Sequence, residues 1–278
     1  MSDTDGAIQC IEALHGRFHV LRHDLYVSRS MALYGEWTEG EFALVQPLLA
    51  LGDHCIDVGA NLGCMTVPLA KAVGPTGSVF AFEPQPGLFR LLAANTVNNG
   101  AHNVRLHQAA CGAVSGVTQV PELDYSRAYN YGALSLQAMA GAAQAGGISR
   151  AVPTVRLDDV FDAPSLRLIK IDVEGMEAEV VRGAAGIIGL HRPFLYVENE
   201  FPGAASAASI SAIAALGYRL FWHVAPLYNP ANFRKKAENL FEGIACVNMF
   251  CAPQEARIDT GALREVASAG EHPRAPNL

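Results

Sequence analysis

The feature that most constrains this chain is an apolar run that ends in an aspartate and a glycine-bearing turn, at residues 55–63 (Cys-Ile-Asp-Val-Gly-Ala-Asn-Leu-Gly). The residues that follow have helical spacing, so the pattern indicates a strand, a loop and a helix in succession. A second acid, Glu83, ends the next apolar run, twenty residues beyond Gly63. Two acids at the ends of successive strands of a βαβ unit favour a binding site for a nucleoside-type cofactor.

The glycine pattern of this loop narrows the choice of cofactor. A dinucleotide fingerprint would need glycine at positions 59, 61 and 64, but Asn61 and Cys64 occupy the last two. The pattern therefore disfavours NAD and FAD, and Asp57 before the turn would repel a diphosphate. S-adenosylmethionine carries an ammonium and a sulfonium and no phosphate, and its ribose hydroxyls could donate to Glu83. The alternative is a βα turn that binds nothing, because short motifs also occur by chance.

Composition excludes several classes of protein. The net charge of -7 argues against a nucleic-acid binder that relies on a basic surface. No stretch of about 20 apolar residues is present, so we expect no transmembrane helix. The first residues are acidic and polar and lack the start of a secretory signal, which makes the cytoplasm the expected location. The six cysteines form no CxxC pair, so we expect small buried side chains rather than disulfides or a zinc site.

Apolar runs and helical spacings alternate along the chain and predict a doubly wound α/β fold. Strands are predicted at residues 54–58, 78–82, 104–110, 166–171 and 194–198, and helices at 86–98, from 176 and at 205–216. Two further runs, 218–223 and 245–250, fit the antiparallel edge of a mostly parallel sheet. The predicted divisions are an N-terminal extension or cap at 1–48, the α/β domain at 49–252 and a polar, flexible tail at 253–278. Residues 141–147 are a candidate flexible flap.

Seven short stretches, in this order, resemble the FkbM family of S-adenosylmethionine-dependent methyltransferases over residues 34–252. They are residues 34–37, 57–63, 82–84 (Phe-Glu-Pro), 155–160, 169–177 (Ile-Lys-Ile-Asp-Val-Glu-Gly-Met-Glu), 196–198 and 247–251. The resemblance implies a class I methyltransferase fold, a Rossmann-like sheet. It also implies a methyl transfer whose acceptor is most often a hydroxyl oxygen. The second product is S-adenosylhomocysteine. Known acceptors of the family include sugar and polyketide-type hydroxyls, so the acceptor is a small molecule, a glycan or such a natural product.

The predicted cofactor site gathers at the carboxyl ends of the strands, where ligands of open α/β sheets bind. Asp57 would accept from the methionine ammonium, directly or through water, and Glu83 from the two ribose hydroxyls. Gly59 and Gly63 would let the backbone approach the methionine part. Ala110, at the end of the third strand, would lie near the adenine. The full predicted set is Asp57, Gly59, Asn61, Gly63, Glu83, Pro84, Ala110 and Asp172.

A hydroxyl acceptor benefits from a general base, and the candidates are Asp172, Glu174, Glu198 and His223. The three carboxylates follow adjacent strand ends and could raise one another's pKa values. In the alternative readings, Asp57 is a turn acceptor, Glu174 caps a helix and His223 is structural. A magnesium site of Asp158, Asp159, Asp172 and Glu198 is conceivable, but no compact ligand spacing supports it, so no metal is predicted.

Other functions stay open on the sequence alone. They are methyl transfer to nitrogen and a catalytically silent scaffold that binds the cofactor. The segments 121–150 and 224–243 are expected to shape the acceptor pocket, because substrate-binding loops lie between the elements of the scaffold. A homo-oligomer is left open, and neither a nucleic-acid partner nor a membrane span is expected.

Overall fold

Strands and helices alternate through most of the chain in the computed structural model, which describes residues 6–133 and 148–274. The strands are β1 (Ile8–Ala13), β2 (Gly16–Leu21), β3 (His54–Val58), β4 (Ser78–Phe82), β5 (Val104–His107), β6 (Ala110–Cys111), β7 (Gly116–Pro121), β8 (Ser149–Val155), β9 (Leu168–Ile171), β10 (Phe194–Glu198), β11 (Tyr218–Pro226), β12 (Ala245–Pro253) and β13 (Arg264–Glu265). The helices are α1 (Val27–Tyr34), α2 (Glu39–Val45), α3 (Thr66–Val73), α4 (Pro86–Asn98), α5 (Leu157–Val160), α6 (Glu177–Gly183), α7 (Ala185–His191) and α8 (Ala204–Ala215).

The central sheet has eight strands in the order β13-β11-β12-β10-β9-β3-β4-β5. The five strands from β10 to β5 are parallel, whereas β12 runs antiparallel to both β10 and β11. Chain order reverses between β3 and β9, which are neighbours, and this reversal creates a switch point at their carboxyl ends. The predicted doubly wound, mostly parallel sheet with an antiparallel edge is therefore confirmed.

The middle of the sheet is buried on both faces, which explains its nearly continuous apolar runs. All five residues of β4 and all four of β9 are buried, and Ile56 and Ile169 are fully inaccessible in the core. Asp57 on β3 and Lys170 on β9 are charged exceptions in these runs. Buried charges of this kind are normally paired, so they mark the part of the sheet that needs a chemical explanation.

Several predicted boundaries need correction. The strand predicted at 104–110 ends at His107, because the Ala109 N–H bonds back to the His107 carbonyl and turns the chain. Ala110 instead begins β6, which pairs with β8 in a separate three-stranded sheet. The helix predicted from residue 176 is two helices, because Ala184 departs from helical geometry. The candidate flap at 141–147 lies outside the described residues.

The N-terminal residues pack on the α/β domain through the β1–β2 hairpin. The Asn95 side chain of α4 pairs with the backbone of His19 on β2, accepting from its N–H at 2.6 Å and donating to its carbonyl at 3.0 Å. At the other end of the chain, β13 pairs with β11, and the buried His272 bonds to the Asn199 carbonyl at 2.7 Å. Within the two described ranges, the helices fall short of the length and apolar character that crossing a bilayer requires.

Candidate active site

A cavity of about 460 Å³ lies at the carboxyl ends of β3, β4, β9 and β10, beside the switch point of the sheet. A smaller pocket of about 50 Å³ adjoins it and is lined mainly by apolar side chains such as Pro84, Val173 and Met176. Residues common to both linings are Gly59, Glu83, Gln85, Gly132, Asp172 and Glu174. The two spaces are therefore parts of one continuous site.

Parts of the chain that are far apart in sequence line the large cavity together with the strand ends. The N-terminal extension supplies Trp37 and Glu41, among others, and the end of the described chain supplies Arg274. Asn130 from the 121–150 segment and Leu227 from the 224–243 segment also line it. Both segments predicted to shape the acceptor pocket thus reach the cavity.

One side of the site, which we call the cofactor wall, consists of residues 59–65 and 83–85. Gly59 has φ +77°, and a Cβ there would lie 1.8 Å from the Asp172 carbonyl oxygen, so only glycine fits. The loop is anchored because the N–H groups of Gly59 and Ala60 both donate to the Phe82 carbonyl, each at 3.0 Å. Gly59, which the sequence analysis assigned to cofactor binding, is therefore also required by packing. The chain just after β9 lies too close to this loop for a side chain.

Glu83 is the most constrained carboxylate of the cofactor wall. Its Oε2 accepts from the Asn61 N–H at 2.9 Å and its Oε1 from the Gln85 N–H at 2.8 Å. The side chain is buried, and burial raises the pKa of Glu83 to about 7 against the effect of these two hydrogen bonds. Each oxygen still has a second lone pair, so the carboxylate can accept further hydrogen bonds from a ligand.

Lys170 links the cofactor wall to the opposite side of the cavity. Its Nζ lies 3.5 Å from Asp57 Oδ1 and 3.2 Å from Asp172 Oδ2, and it donates to the Gly59 carbonyl at 3.1 Å. Burial alone would lower the pKa of Lys170, but Asp172, Asp57 and Glu41 together raise it, so the ammonium stays charged. A buried lysine is stable here because it is surrounded by acceptors.

Asp57 lies beneath the cavity rather than in its lining. The side chain is fully buried, and its Oδ2 accepts from the Thr66 hydroxyl at 2.6 Å while Lys170 faces its Oδ1. Asp57 therefore fixes the start of α3 and the position of Lys170. The expected interaction with a ligand ammonium, directly or through water, stays a prediction.

The other side of the cavity carries three carboxylates, Asp172, Glu174 and Glu198, which we call the carboxylate cluster. One oxygen from each lies within 4.8 Å of the other two. Burial, Asp172 and Glu177 raise the pKa of Glu174, and burial together with Asp172 and Glu174 raises that of Glu198. Glu174 and Glu198 therefore hold a proton more strongly than ordinary carboxyl groups do.

Glu174 does not cap a helix in the way the alternative reading supposed. The residue has φ +54°, and the Gly175 N–H donates to Glu177 Oε1 instead, at 2.9 Å. Glu174 lines both the large cavity and the small pocket. Its carboxylate is therefore available to a ligand.

Glu41 and Gln85 are among the polar residues of the cavity that sequence reasoning missed. Glu41 on α2 is buried, accepts from Asn248 Nδ2 at 3.1 Å, and has its pKa raised to about 7 by burial and Asp172. Gln85 follows Glu83 by two residues and lines both spaces. No local pattern marks Glu41, whereas the position of Gln85 just beyond the strand-ending acid was a usable signal.

The remaining predicted residues are more dispersed. Pro84 and Ala110 line the small pocket, and Asn61 lines the large cavity. Gly63 packs toward α4, where an added Cβ would lie 3.0 Å from Leu92 Cδ1. His223 on β11 bonds through Nδ1 to the Tyr196 hydroxyl at 2.8 Å, outside both linings, and burial lowers its pKa.

The four acids considered for a magnesium site do not form one group within the described residues. Asp158 accepts from the N–H groups of Gly186 and Ile187 at the start of α7, and Asp159 accepts from the Ser115 hydroxyl at 3.0 Å. These two acids of α5 therefore form hydrogen bonds to the start of α7 and to Ser115. Within the described residues, the group whose spacing suits a cation is the carboxylate cluster.

Comparison with known proteins gives a consistent picture. A family model described as the methyltransferase FkbM domain matches residues 57–220. Methyltransferase 1 of Beauveria bassiana (strain ARSEF 2860) is 28% identical over 143 residues, which are 46% of this chain and 57% of that protein. The chain thus spans somewhat more than half the length of this curated relative.

Similar solved structures carry related names. Methyltransferase FkbM from Methylobacillus flagellatus KT is 16% identical with a TM-score of 0.43, covering 71% of this chain and 43% of that one. A SAM-dependent O-methyltransferase from Thermotoga maritima is 14% identical with a TM-score of 0.49, covering 90% and 79%. Fibrillarin from Aeropyrum pernix, with natively bound S-adenosyl-L-methionine, is 12% identical with a TM-score of 0.44, covering 88% and 94%.

Proposed function

Because the chain belongs to the FkbM family of S-adenosylmethionine-dependent methyltransferases, we propose that it methylates a hydroxyl oxygen of a small molecule, a sugar or glycan, or a polyketide-type product. The family model covers 164 of the 278 residues, counted from 57 to 220, and includes both sides of the cavity. When bound, S-adenosylmethionine supplies a methyl group on a positively charged sulfur. The residues of this chain bind it, orient the acceptor and handle the acceptor's proton.

The cofactor wall suits this cofactor. Glu83 has a free lone pair on each oxygen for the two ribose hydroxyls, and the small pocket beside Pro84 offers an apolar space for the adenine. The nearby carboxylate of Asp172 is complementary to a positively charged group of the cofactor, its ammonium or its sulfonium. Asp57 acts indirectly, because it holds Lys170, and Lys170 in turn holds Asp172.

The observation that carries the proposed acceptor is the carboxylate cluster at the cavity. A hydroxyl group has a high pKa, so its methylation benefits from a neighbouring group that can take its proton. Partly buried carboxyl groups with raised pKa values hold a proton more strongly than ordinary ones, and Glu174 and Glu198 are two such groups. We assign the general base to Glu174 or Glu198, with Asp172 paired to Lys170 as the fixed member.

The test separates binding from turnover. Calorimetry should show binding of S-adenosylmethionine and S-adenosylhomocysteine but not of NADH. Glu174→Gln and Glu198→Gln should keep cofactor affinity within a few-fold, while at least one lowers turnover with hydroxyl acceptors about 10²- to 10⁴-fold. Glu179→Gln is the matched control, because Glu179 is half-exposed, pairs with Arg182 and lies outside the cavity lining.

Two results would contradict this proposal. Absence of binding by either sulfur ligand would remove the methyltransferase assignment to this site. Unchanged turnover in both glutamine variants would remove the carboxylates as bases. Mass analysis of the products from matched hydroxyl and amine acceptors distinguishes oxygen from nitrogen methylation, and cofactor binding without any product would point to a scaffold.

A further inference from the structure

Thr38, in the N-terminal extension, carries a buried hydroxyl group that the rest of the described chain leaves unused. The residue is 5% exposed and lines the large cavity, yet its Oγ1 forms no hydrogen bond within residues 6–133 and 148–274. In these ranges, the fully enclosed polar side-chain atoms without a partner belong to other residues. The Thr38 hydroxyl is therefore accessible from the cavity that the residue lines, and a ligand there can reach it.

The backbone conformation of Thr38 makes this free hydroxyl more informative. The residue has φ +43° and ψ +45°, in the left-handed region that branched side chains disfavour. A threonine just before a helix usually has extended backbone and accepts an N–H from the first turn, but the Thr38 side chain makes no such bond to α2. The side chain thus does not support the fold by hydrogen bonding, although its backbone is strained. Strained residues of this kind concentrate at binding sites.

The surroundings of Thr38 place it on the side of the cavity that is remote from the adenine space. The Thr38 carbonyl accepts from the Glu41 N–H at 2.8 Å, and Glu41 accepts from Asn248 Nδ2 on β12 at 3.1 Å. Asn248 pairs directly with Glu198 on β10, whereas the cofactor wall follows β3 and β4. Thr38 also lies outside the lining of the small pocket. It therefore belongs with the carboxylate cluster, on the side proposed for the acceptor.

We propose that the Thr38 hydroxyl binds the acceptor, by a hydrogen bond to a second oxygen of a compound that carries more than one hydroxyl group. This inference rests on the proposed function, because the acceptor is that function's substrate. A threonine hydroxyl can donate and accept, whereas the neighbouring carboxylate of Glu41 only accepts when it is ionised. A ligand hydroxyl satisfies both side chains, and an apolar group at this place would leave them without a partner. The acceptor class is therefore a polyhydroxyl compound.

The experiment measures methyl transfer from S-adenosylmethionine to matched probes. The probes are the methyl pyranosides of glucose, galactose and mannose, each with its monodeoxy forms, and cyclohexanol as a ring with one hydroxyl. Thr38→Val removes the hydroxyl but keeps the branched shape and its backbone strain, and Thr38→Ser keeps the hydroxyl. Thr118→Val is the matched control, because Thr118 is half-buried in β7 and lines neither space.

We expect at least one pyranoside to be methylated in preference to cyclohexanol. Thr38→Val should raise the KM for that probe about 3- to 10-fold, as loss of one hydrogen bond does, with kcat and S-adenosylhomocysteine affinity within about twofold. Thr38→Ser and Thr118→Val should stay close to the wild type. One monodeoxy form should raise the wild-type KM by the same factor and have no further effect in Thr38→Val, which identifies the oxygen that Thr38 binds.

Several results overturn the inference. They are an unchanged KM in Thr38→Val, an equal loss of S-adenosylhomocysteine affinity, no rescue by Thr38→Ser, and preferential methylation of cyclohexanol. If Thr38→Val fails to fold, the wild type decides, because an equal KM for a pyranoside and all its monodeoxy forms overturns the inference and a rise for one form supports it.

A structure of the S-adenosylhomocysteine complex decides the case in which no probe is methylated. A Thr38 hydroxyl that bonds to the cofactor or to the protein in that complex overturns the inference, and a hydroxyl that stays free at the open cavity supports it. A wild type that does not bind S-adenosylhomocysteine removes the proposed function itself, which is a distinguishable failure.

Discussion

The cofactor wall and the carboxylate cluster face the same cavity but are held in place by different forces. Glu83 is fixed by two backbone N–H groups, and the loop beside it is anchored on the Phe82 carbonyl. The carboxylate cluster brings three acids within 4.8 Å, and Lys170 pairs with Asp172 at one edge. Hydrogen bonds therefore preorganise the first region, whereas the second stores electrostatic repulsion that a proton or a cationic ligand relieves.

This difference agrees with two separate roles in the proposed reaction, cofactor binding and proton transfer. A rigid wall is suited to binding one invariant cofactor, because little order has to be gained on binding. A cluster with carboxyl groups of raised pKa is suited to proton transfer, because those groups hold a proton more strongly than ordinary carboxyl groups do. Lys170 is the physical connection between the two, since it contacts Asp57 under the wall and Asp172 in the cluster.

Replacing Lys170 should cause the largest change, because it removes that connection. Lys170→Met leaves Asp57 buried without a counter-charge, and we expect the free energy of unfolding to fall by about 3–5 kcal/mol. Urea denaturation at pH 7 measures this. The double variant Asp57→Asn/Lys170→Met should recover more than half of the loss. A loss below about 1 kcal/mol, or a double variant no more stable than the single one, would show that the ion pair is not the link.

Gly59→Ala tests the close packing between the loop after β3 and the chain just after β9. The new Cβ would lie 1.8 Å from the Asp172 carbonyl oxygen at a φ of +77°, so we expect a loss of about 3 kcal/mol in unfolding free energy. Gly100→Ala is the matched control, because Gly100 has φ +64° with no atom within 4 Å of the added Cβ. Its loss should be about 1–2 kcal/mol from backbone strain alone. Equal losses in both variants would mean that the close approach of β9 is unimportant.

The pH dependence of cofactor binding distinguishes the two regions by charge. The pKa of Glu83 is raised to about 7, and an ionised carboxylate accepts hydrogen bonds more strongly than a protonated one. S-adenosylhomocysteine affinity should therefore rise as pH increases from 6 to 8, by about fivefold. Glu83→Gln should lose this slope, measured by calorimetry.

Glu41→Gln is the control for this pH profile. Burial also raises the pKa of Glu41 to about 7, but Glu41 comes from α2 and bonds to Asn248, away from the cofactor wall. The slope should persist in Glu41→Gln. If the pH dependence of affinity disappears in Glu41→Gln but remains in Glu83→Gln, the titrating group is Glu41 and the prediction for Glu83 is wrong.

Sequence reasoning worked best where the determining contacts are local. The turn at Gly59 and the acid Glu83 lie within 25 residues of each other, and the order of apolar runs was enough to predict the sheet and the strand ends that meet at the cavity. Residues whose surroundings come from far along the chain were not predictable. Glu41 meets Asn248 across 207 positions, and the amide of Gln85 is oriented by a carbonyl 46 positions away.

The same limit applies to Asp57 and His223, because neighbouring strands supply their surroundings. An acid before a glycine turn has the same sequence pattern whether it faces a ligand or a buried lysine, and the pairing with Lys170 depends on β9 lying beside β3. A histidine at the end of a predicted strand has the same pattern whether the strand ends there or continues. β11 continues to Pro226, which places His223 inside the antiparallel edge.

His223→Gln should give the smallest effect, and it tests whether the catalytic region ends at β10 and β12. Burial lowers the pKa of His223, so the ring is neutral at pH 7, and its Nδ1 is engaged with the Tyr196 hydroxyl. We expect turnover within about threefold of wild type and a loss of about 1 kcal/mol in unfolding free energy from that hydrogen bond. Tyr196→Phe removes the same bond from the other side and should leave turnover equally unaffected. A hundredfold fall in turnover in a folded His223→Gln, with Tyr196→Phe fully active, would extend the proton-handling region beyond the carboxylate cluster.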